Sequence, residues 1–521
     1  MPPFFLERKS TMKIEKIFVN GDFYTMDWKN PRAEAVGVMR GRVEAVGSRD
    51  YVTSLAPTNV PEIDLQGKVV FPGFIDAHVH FMQTGLDRTA VYLNKAKNLK
   101  EFFRLLREKA RTTPREGWVR GYGYDETKLE ENRVPSLEEL DAACPENPLF
   151  LSRVDAHSCL INSVALNMLD LDPSLEGLDR KEGRVIGRLR AKANSAARTQ
   201  ILNRLLGEKE KKQALFEASE EALAVGVTTV HALEGGSLFG ERDFDILLGA
   251  MPELPIRILP YHQIMDVERV AGMGFKRIGG CITVDGSIGS RTAALLSPYE
   301  DQKDCTGCLY LETEELEAFV LEAHRRGMQI AMHTIGDAAI EQLLRAYEKA
   351  LEQYPRKDHR HRFEHFSIPT DDQVRRAAAL GCAICVQPSF DFFTRNMMPI
   401  RLGKKRFERS YPLRTLLEAG LLVAGGSDSS ITPLNPMLGV YGAKTHTHPF
   451  QRLEVYEAVK LFTLNAAAIG FEEHLKGSIE VGKYADFAVM SEDPFTAEPE
   501  AIRDMTVAMT ILGGDVAYAK S

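Results

Sequence analysis

The sequence predicts an α/β chain: a (β/α)8 barrel of the TIM type, a small β-sandwich built from both chain ends, and a helix-rich insertion after the first barrel strand. Three observations predict it. Short apolar runs bounded by turn residues recur at 69–80, 226–233, 256–262, 278–284, 328–333, 361–366, 382–387 and 421–427. Runs of this kind read as strands buried on both faces, as in a parallel sheet. Helical patterns separate several of them, such as TEELEAFVLEAHRRG at 313–327 and AAIEQLLRAYEKALEQY at 338–354. Alternation of strand and helix over eight units favours a closed barrel over an open doubly wound sheet. Finally, no G-x-G-x-x-G opens the first unit, which weakens a dinucleotide-binding alternative.

The 521 residues exceed one typical domain, yet α/β barrels commonly reach half this length as a single unit. A hydrophobic share of 44% with 26% charged residues is that of a globular chain with an ample core. The formal charge of −8 argues against nucleic acid or an anionic membrane as partner and leaves a small molecule as the expected one. No window approaches the ~18 apolar residues of a membrane helix. MPPFFLERKSTMK lacks the layout of a signal peptide, its charges following a short apolar stretch. The expected address is the cytoplasm, Met12 is read as the start with 1–11 as a leader, and a homodimer is the ordinary expectation.

Residues 12–70 fall into short alternating pieces around Asn20-Gly21 and Arg40-Gly41, which read as hairpin turns. The stretch 470–521 repeats that character in GSIEVGKYADFAVM and MTVAMTILGGDVAYA. One β-sandwich domain from 12–70 and 470–521 is the economical reading, since chain ends often meet. The barrel then spans 71–469, interrupted at about 95–220 by a charged, helix-rich insertion without a run of regular strands. Aromatics of this insertion and His157 either cover the mouth of a site or form its own small core.

The first apolar run ends in His78-x-His80. Alternate side chains of a strand share a face, so both imidazoles, and Asp76 before them, point one way. Alone, such a pair is better explained by hydrogen-bonded histidines at a strand end than by a metal. The other histidines change this. His333 ends the fifth run, His365 the sixth, and Asp428 follows the eighth in GGSDSS. Barrel chemistry sits at the C-terminal strand ends, and histidines placed only for packing have no reason to collect there. Nitrogen and oxygen donors on one rim compose a catalytic site for one or two divalent ions, zinc first.

These pieces resemble the amidohydrolase superfamily and, within it, the YtcJ-like metal-dependent hydrolases of amidohydrolase family 3. The similar stretches are FPGFIDAHVH, VDGSIGSRTAAL (284–295), MHTIGDAAI (332–340), RFEHFSIP (362–369), GGSDSSITPLNP (425–436) and GSIEVGKYADFAVM, in order from about residue 14 to the end. The resemblance implies a distorted barrel with a sandwich from both ends. It implies His78, His80 and Asp428 as ligands of one metal and His333 and His365 as ligands of a second. It also implies Asp428 as the general base that takes a proton from the attacking water and delivers it to the leaving group. One position departs from the pattern. Relatives carry a lysine on the fourth strand that becomes carboxylated and bridges two metals, and here Cys281 stands four residues before Asp285. Its thiolate either binds or bridges metal, or the site holds one ion and the thiol is packed.

Further candidates each have a structural alternative. Arg291 offers forked donors to a substrate, or braces its loop. His157, His231 and Tyr124 are expected to contact substrate or stand behind the site, or simply pack; Trp118 and Tyr122 share the alternatives of Tyr124. Asp337 and Glu364 flank ligand histidines, and strict alternation points Glu364 away from the centre. His446 and His448 read as packing histidines. The pairs Cys305–Cys308 and Cys382–Cys385 fit a zinc ribbon poorly, because the latter lie in one strand with opposite orientations. The activity expected is metal-dependent hydrolysis of a non-peptide C–N bond, an amide or N-acyl bond of a small molecule, by metal-activated water. The alternatives are a metal-dependent decarboxylase or lyase, and a catalytically silent binding or regulatory relative.

Overall fold

The computed structural model describes residues 14–115, 117–205, 207–236, 240 and 242–520. The expected start at Met12 lies outside them. Eight parallel strands carry the centre: β1 (Phe74–Val79), β2 (Val227–Glu234), β3 (Arg257–His262), β4 (Arg277–Thr283), β5 (Gln329–Thr334), β6 (Arg362–His365), β7 (Ala383–Val386) and β8 (Leu422–Gly425). They pair as two sheets, β3-β2-β1 and β4-β5-β6-β7-β8. Every residue of β1, β2, β5, β6 and β7 is buried, as expected of strands covered on both faces. Beyond β8 the chain meets β1: Asp428 N donates to His78 O at 2.8 Å and His80 N to Ser429 O at 2.9 Å. Between β3 and β4 a side chain replaces the ladder, Cys281 N donating to Gln263 Oε1 at 2.8 Å.

Helices separate the strands. Thr313–Arg325 lies between β4 and β5, Asp337–Gln353 between β5 and β6, and Asp371–Leu380 between β6 and β7. The last shows how local sequence sets a boundary. Thr370 and Gln373 close a reciprocal cap at its start, and Gly381 ends it at φ 76°.

Both chain ends contribute to two further sheets. One has the order Arg42–Gly47, Ala35–Met39, Lys16–Val19, Glu62–Asp64; the other runs Asp515–Ala519, Val507–Leu512, Phe487–Met490, Val69–Pro72, Asp22–Tyr24, Arg32–Ala33. Phe18, Val36 and Val43 of the first share one buried cluster with Phe23, Val70, Phe487 and Ile511 of the second. Phe18 meets Phe487 edge-on at 5.5 Å.

The insertion is rich in helices, and the expectation that it lacks a run of regular strands is corrected. It holds helices at Leu99–Thr112, Leu137–Ala143, Ser163–Met168 and Ala191–Leu205 and the start of Glu208–Ala224, as a helix-rich segment should, but it also carries most of a six-stranded sheet in the order Leu178–Lys181, Arg184–Arg190, Ser158–Ile161, Leu149–Arg153, Val119–Tyr124, Val91–Tyr92. Its strands are short, and VRGYGY and RVIGRLR carry arginine and left-handed glycines (Gly123 φ 74°, Gly187 φ 73°) where an apolar run would announce a strand. Among the described residues no helix is long and apolar enough to cross a membrane.

Candidate metal centre

Local backbone geometry delivers the donors to one rim. His78 and His80 face one side of the β1 end, and Asp76 behind them accepts from His78 N at 3.1 Å and Ser427 N at 2.9 Å, tying β1 to the segment that carries Asp428. Gly426 permits the approach, since a Cβ there would fall 2.6 Å from His78 Cβ. On β4 the pair Gly279 and Gly280 (φ 94° and 111°) shifts the register against β5. A Cβ at Gly279 would stand 2.1 Å from Ala331 O. This bulge aims the next side chain, Cys281, toward the histidines.

His365 and Asp428 adopt left-handed conformations, with φ of 71° and 56°. Such conformations in non-glycine residues are sparse and cluster at functional sites. On β6 the consequence is specific. Arg362 and Glu364 share the inner face, while Phe363 packs outward against Tyr347. Strict alternation would send His365 outward too; the left-handed turn brings its ring back to the rim. The expected outward direction of Glu364 is therefore corrected: its Oε2 lies 2.6 Å from His78 Nδ1, orienting that ring and fixing which nitrogen faces the site.

The donors then converge. Asp428 Oδ1 is 3.3 Å from His78 Nε2 and 3.2 Å from His80 Nε2. His78 Nε2 and Asp428 Oδ1 are buried, and beyond these close approaches neither makes a well-aligned hydrogen bond. Cys281 Sγ stands 3.5 Å from His333 Nδ1 and 3.9 Å from His365 Nε2. Among the described residues three groups could each hold an ion, with ligand atoms within 4.8 Å of one another: His78, His80, Asp428; His78, Cys281, His365; and His78, Glu364, Cys385. His78 belongs to all three. Buried, uncompensated donors of this kind are the chemistry that a divalent cation satisfies, and the set fits one. The charges agree with this. Burial opposes charge on His80, yet Asp428 and Cys281 outweigh it and push the ring up to about 9. Burial likewise opposes charge on Asp428, and the imidazoles of His78 and His80 hold the carboxyl well below the usual range.

Other residues around the rim are supports. His365 Nδ1 lies 2.6 Å from Gln387 Oε1. Asp285 accepts from the backbone N–H of Ala294, Ile335 and Gly336 at 2.8–3.0 Å, bracing the loop after β5, and burial raises its carboxyl to about 6. Asp337 ion-pairs with Arg409 at 2.6 Å.

The remaining candidates divide. His157 is brought in: its ring is 5.1 Å from that of His333, and it lines the donor cavity with Gln83, Arg198, Ser287 and Phe390. Burial, with the charge of His333 second, lowers it to about 4, so it is neutral at ordinary pH. His231 stands behind the site within β2, its Nδ1 3.1 Å from Arg362 Nη1. Tyr124 is 1% exposed and packs edge-on to Phe102 at 6.4 Å inside the insertion; neither it, Trp118 nor Tyr122 lines the cavity. Arg291 also stays outside, ion-paired to Asp301 at 2.8 Å. Arg291→Ala is accordingly expected to change kcat/KM less than about threefold and to cost no more than about 1 kcal/mol of stability, read by steady-state kinetics and denaturant unfolding. His446 and His448 hydrogen-bond the carbonyls of Tyr411 and Phe407 at 3.0 and 2.8 Å. Cys382 and Cys385 lie in separate apolar clusters, and Cys305 and Cys308 face backbone carbonyls, so the four form no ribbon.

Arg198 and Glu234 are additions for which the sequence carries no motif. Glu234, 0% exposed at the end of β2, accepts from Met82 N at 2.7 Å, and burial pushes its carboxyl up to about 8. A carboxyl that is more basic folded than unfolded adds stability at low pH, and this is lost as pH rises through the folded value. Glu234→Gln is therefore expected to gain on the parent between pH 6 and 9. At pH 9 the gain should reach at least about 1.4 kcal/mol, the free energy of a tenfold difference in proton affinity between the folded and unfolded carboxyl. Urea unfolding of both proteins across that range measures it.

Known proteins resemble this chain along nearly its whole length. The chain is 30% identical to YtcJ of Bacillus subtilis, named among the amidohydrolases, over 98% of this chain and 100% of that one. It is 25% identical to the N-substituted formamide deformylase of Arthrobacter pascens, over 98% and 99%. A solved metal-dependent hydrolase from Pyrococcus horikoshii OT3 superposes with a TM-score of 0.76 at 26% identity, covering 93% of this chain and 99% of that one. A family model described as the amidohydrolase family matches residues 61–518, and on that extent this chain belongs to the amidohydrolase family.

Proposed function

We propose that the protein is a metal-dependent hydrolase of a non-peptide C–N bond in a small amide or N-acyl compound, acting from the C-terminal rim of a distorted (β/α)8 barrel. On this reading the two sheets from the chain ends form a β-sandwich domain and the insertion overhangs the rim. The observation that carries it is the close meeting of buried His78 Nε2 and His80 Nε2 with Asp428 Oδ1, and the sharing of His78 by every donor group found among the described residues. Relatedness to a formamide deformylase supports the bond type.

His78, His80 and Asp428 would hold one divalent ion, and Cys281 with His333 and His365 a second; zinc suits a set containing imidazole and thiolate. Such an ion polarises the substrate carbonyl and lowers the pKa of water toward ~7. The chain does the rest. Asp428 takes the proton of the attacking water and returns it to the leaving nitrogen. His157, neutral, donates an N–H to the carbonyl oxygen as negative charge builds there. Glu364 holds the His78 ring, and Ile335, Phe390 and Ile431 keep bulk water from the reacting atoms.

The test is a screen of formamides, N-acyl amino acids, lactams and aromatic carboxylates against zinc-, manganese- and iron-loaded protein. Amine release from at least one amide is expected. Decarboxylation alone, or no turnover with any metal, would defeat the reading. X-ray absorption of the zinc form is expected to contain a sulfur shell near ~2.3 Å that disappears in Cys281→Ser.

A further inference from the structure

The donor cavity does not end at the histidines. Asp155, Ser287, Ile335, Phe390 and Ile431 of its wall also line an adjoining chamber that opens to solvent. The chamber is walled by Ile288 from the loop after β4 and by Phe390, Phe393, Met397, Met398 and Tyr411 from the segment between β7 and β8. Phe390 joins the two spaces. Its ring stacks on His365 (centroids 6.0 Å apart, planes at 13°) and meets Tyr411 edge-on at 6.3 Å.

The polar groups at its margin are already engaged with protein. Tyr411 Oη and Thr394 Oγ1 lie 3.2 Å apart, and Thr394 Oγ1 donates to Phe390 O at 2.8 Å. Lys128 Nζ donates to Asn94 Oδ1 at 2.8 Å. Arg153 is ion-paired to Glu126 and Asp155 at 2.9 and 2.8 Å, and Asp155 further accepts from Ser290 Oγ at 2.9 Å. A charged or strongly polar substituent entering here would lose its water and find few free partners. An apolar one would lose nothing and release water from aromatic and thioether surface, which adapts readily to its shape.

We propose that this chamber is the specificity subsite, and that it takes an apolar substituent of phenyl size or larger attached beside the scissile C–N bond. The assignment rests on the hydrolase reading of the donor cavity and adds to it the class of substrate: aryl-alkyl or long-alkyl amides rather than small or charged ones.

Two readouts separate this proposal from the reading beneath it. The first is kcat/KM of the zinc-loaded protein for N-methylformamide against N-(2-phenylethyl)formamide, and for acetamide against 3-phenylpropanamide. In at least one pair the phenyl compound is expected to lead by on the order of 10- to 100-fold. Filling the chamber by Thr394→Trp, or from another side by Met397→Trp, is expected to reduce that ratio to within about threefold. The second readout is calorimetric binding of 4-phenylbutan-2-one, which has no C–N bond, to the same proteins; it is expected to weaken at least tenfold in either variant. Turnover without preference in both pairs, with ketone binding untouched by the two tryptophans, overturns the subsite and leaves the hydrolase intact. Ketone binding that the tryptophans abolish, without turnover of any amide, sustains the apolar subsite and overturns the hydrolase.

Discussion

Asp428→Asn is expected to lower kcat/KM by about 10²- to 10⁴-fold through loss of the base alone, and further where metal is lost with it, while the chain stays folded. The two halves of that expectation come from different atoms. In the proposed mechanism the carboxylate oxygen facing His78 and His80 receives the proton, and an amide oxygen is far too weak a base to replace it. The backbone asks for nothing that asparagine cannot supply. The residue sits at φ 56°, a region asparagine enters more readily than most. Its N–H still reaches His78 O, where it donates at 2.8 Å. Kinetics beside circular dichroism and a melting curve decide the matter: activity near that of the parent would remove Asp428 from the chemistry, and an unfolded variant would make its role structural.

Arg362→Met is expected to be the most damaging change outside the donor set. Arg362 is 0% exposed and lies directly behind the site. Its Nη1 donates to Tyr261 Oη at 2.9 Å and His231 Nδ1 at 3.1 Å, and its Nη2 donates to Ala77 O at 2.8 Å and Glu364 Oε2 at 3.0 Å. Burial and the guanidinium together keep His231 well below its ordinary basicity, so it accepts at Nδ1. The chain of contacts thus runs from His231 through Arg362 and Glu364 to His78. Removing the guanidinium leaves Glu364 buried with only an imidazole for company, a change of the kind that costs about 3–5 kcal/mol. The same loss frees the His78 ring, for which a 10- to 100-fold weaker hold on metal is expected. Urea unfolding and a competitive zinc titration measure the two effects. Glu364→Gln, which keeps shape and removes charge, is expected to weaken metal with a smaller stability cost.

Much of this was legible in the residues alone, for a physical reason. Strands buried on both faces are written as apolar runs, and all eight runs became strands of the two central sheets. Donors gathered at run ends were readable because rim chemistry needs them there. What escaped depends on backbone turns that side-chain patterns do not encode. The left-handed turn at His365 returns its ring to the side that Glu364 already faces, and nothing in RFEHF announces it. The sheet in the insertion escaped because its strands are short and punctuated by arginine and glycine. Arg291 and Tyr124 were plausible by residue type, and only distance separates them from the cavity. The apolar chamber is assembled from residues near 288, 390–411 and 431, which no local pattern connects.

The proposed chemistry depends on a cation shared by residues far apart in the chain, and among the described residues His78 is the member common to every donor group. Metal content of protein purified without chelator, measured beside His78→Ala prepared identically, tests it most directly. At least one divalent ion per chain is expected in the parent and well under half that in the variant. A parent without metal after zinc loading, or a variant that retains the parent's content, would contradict it.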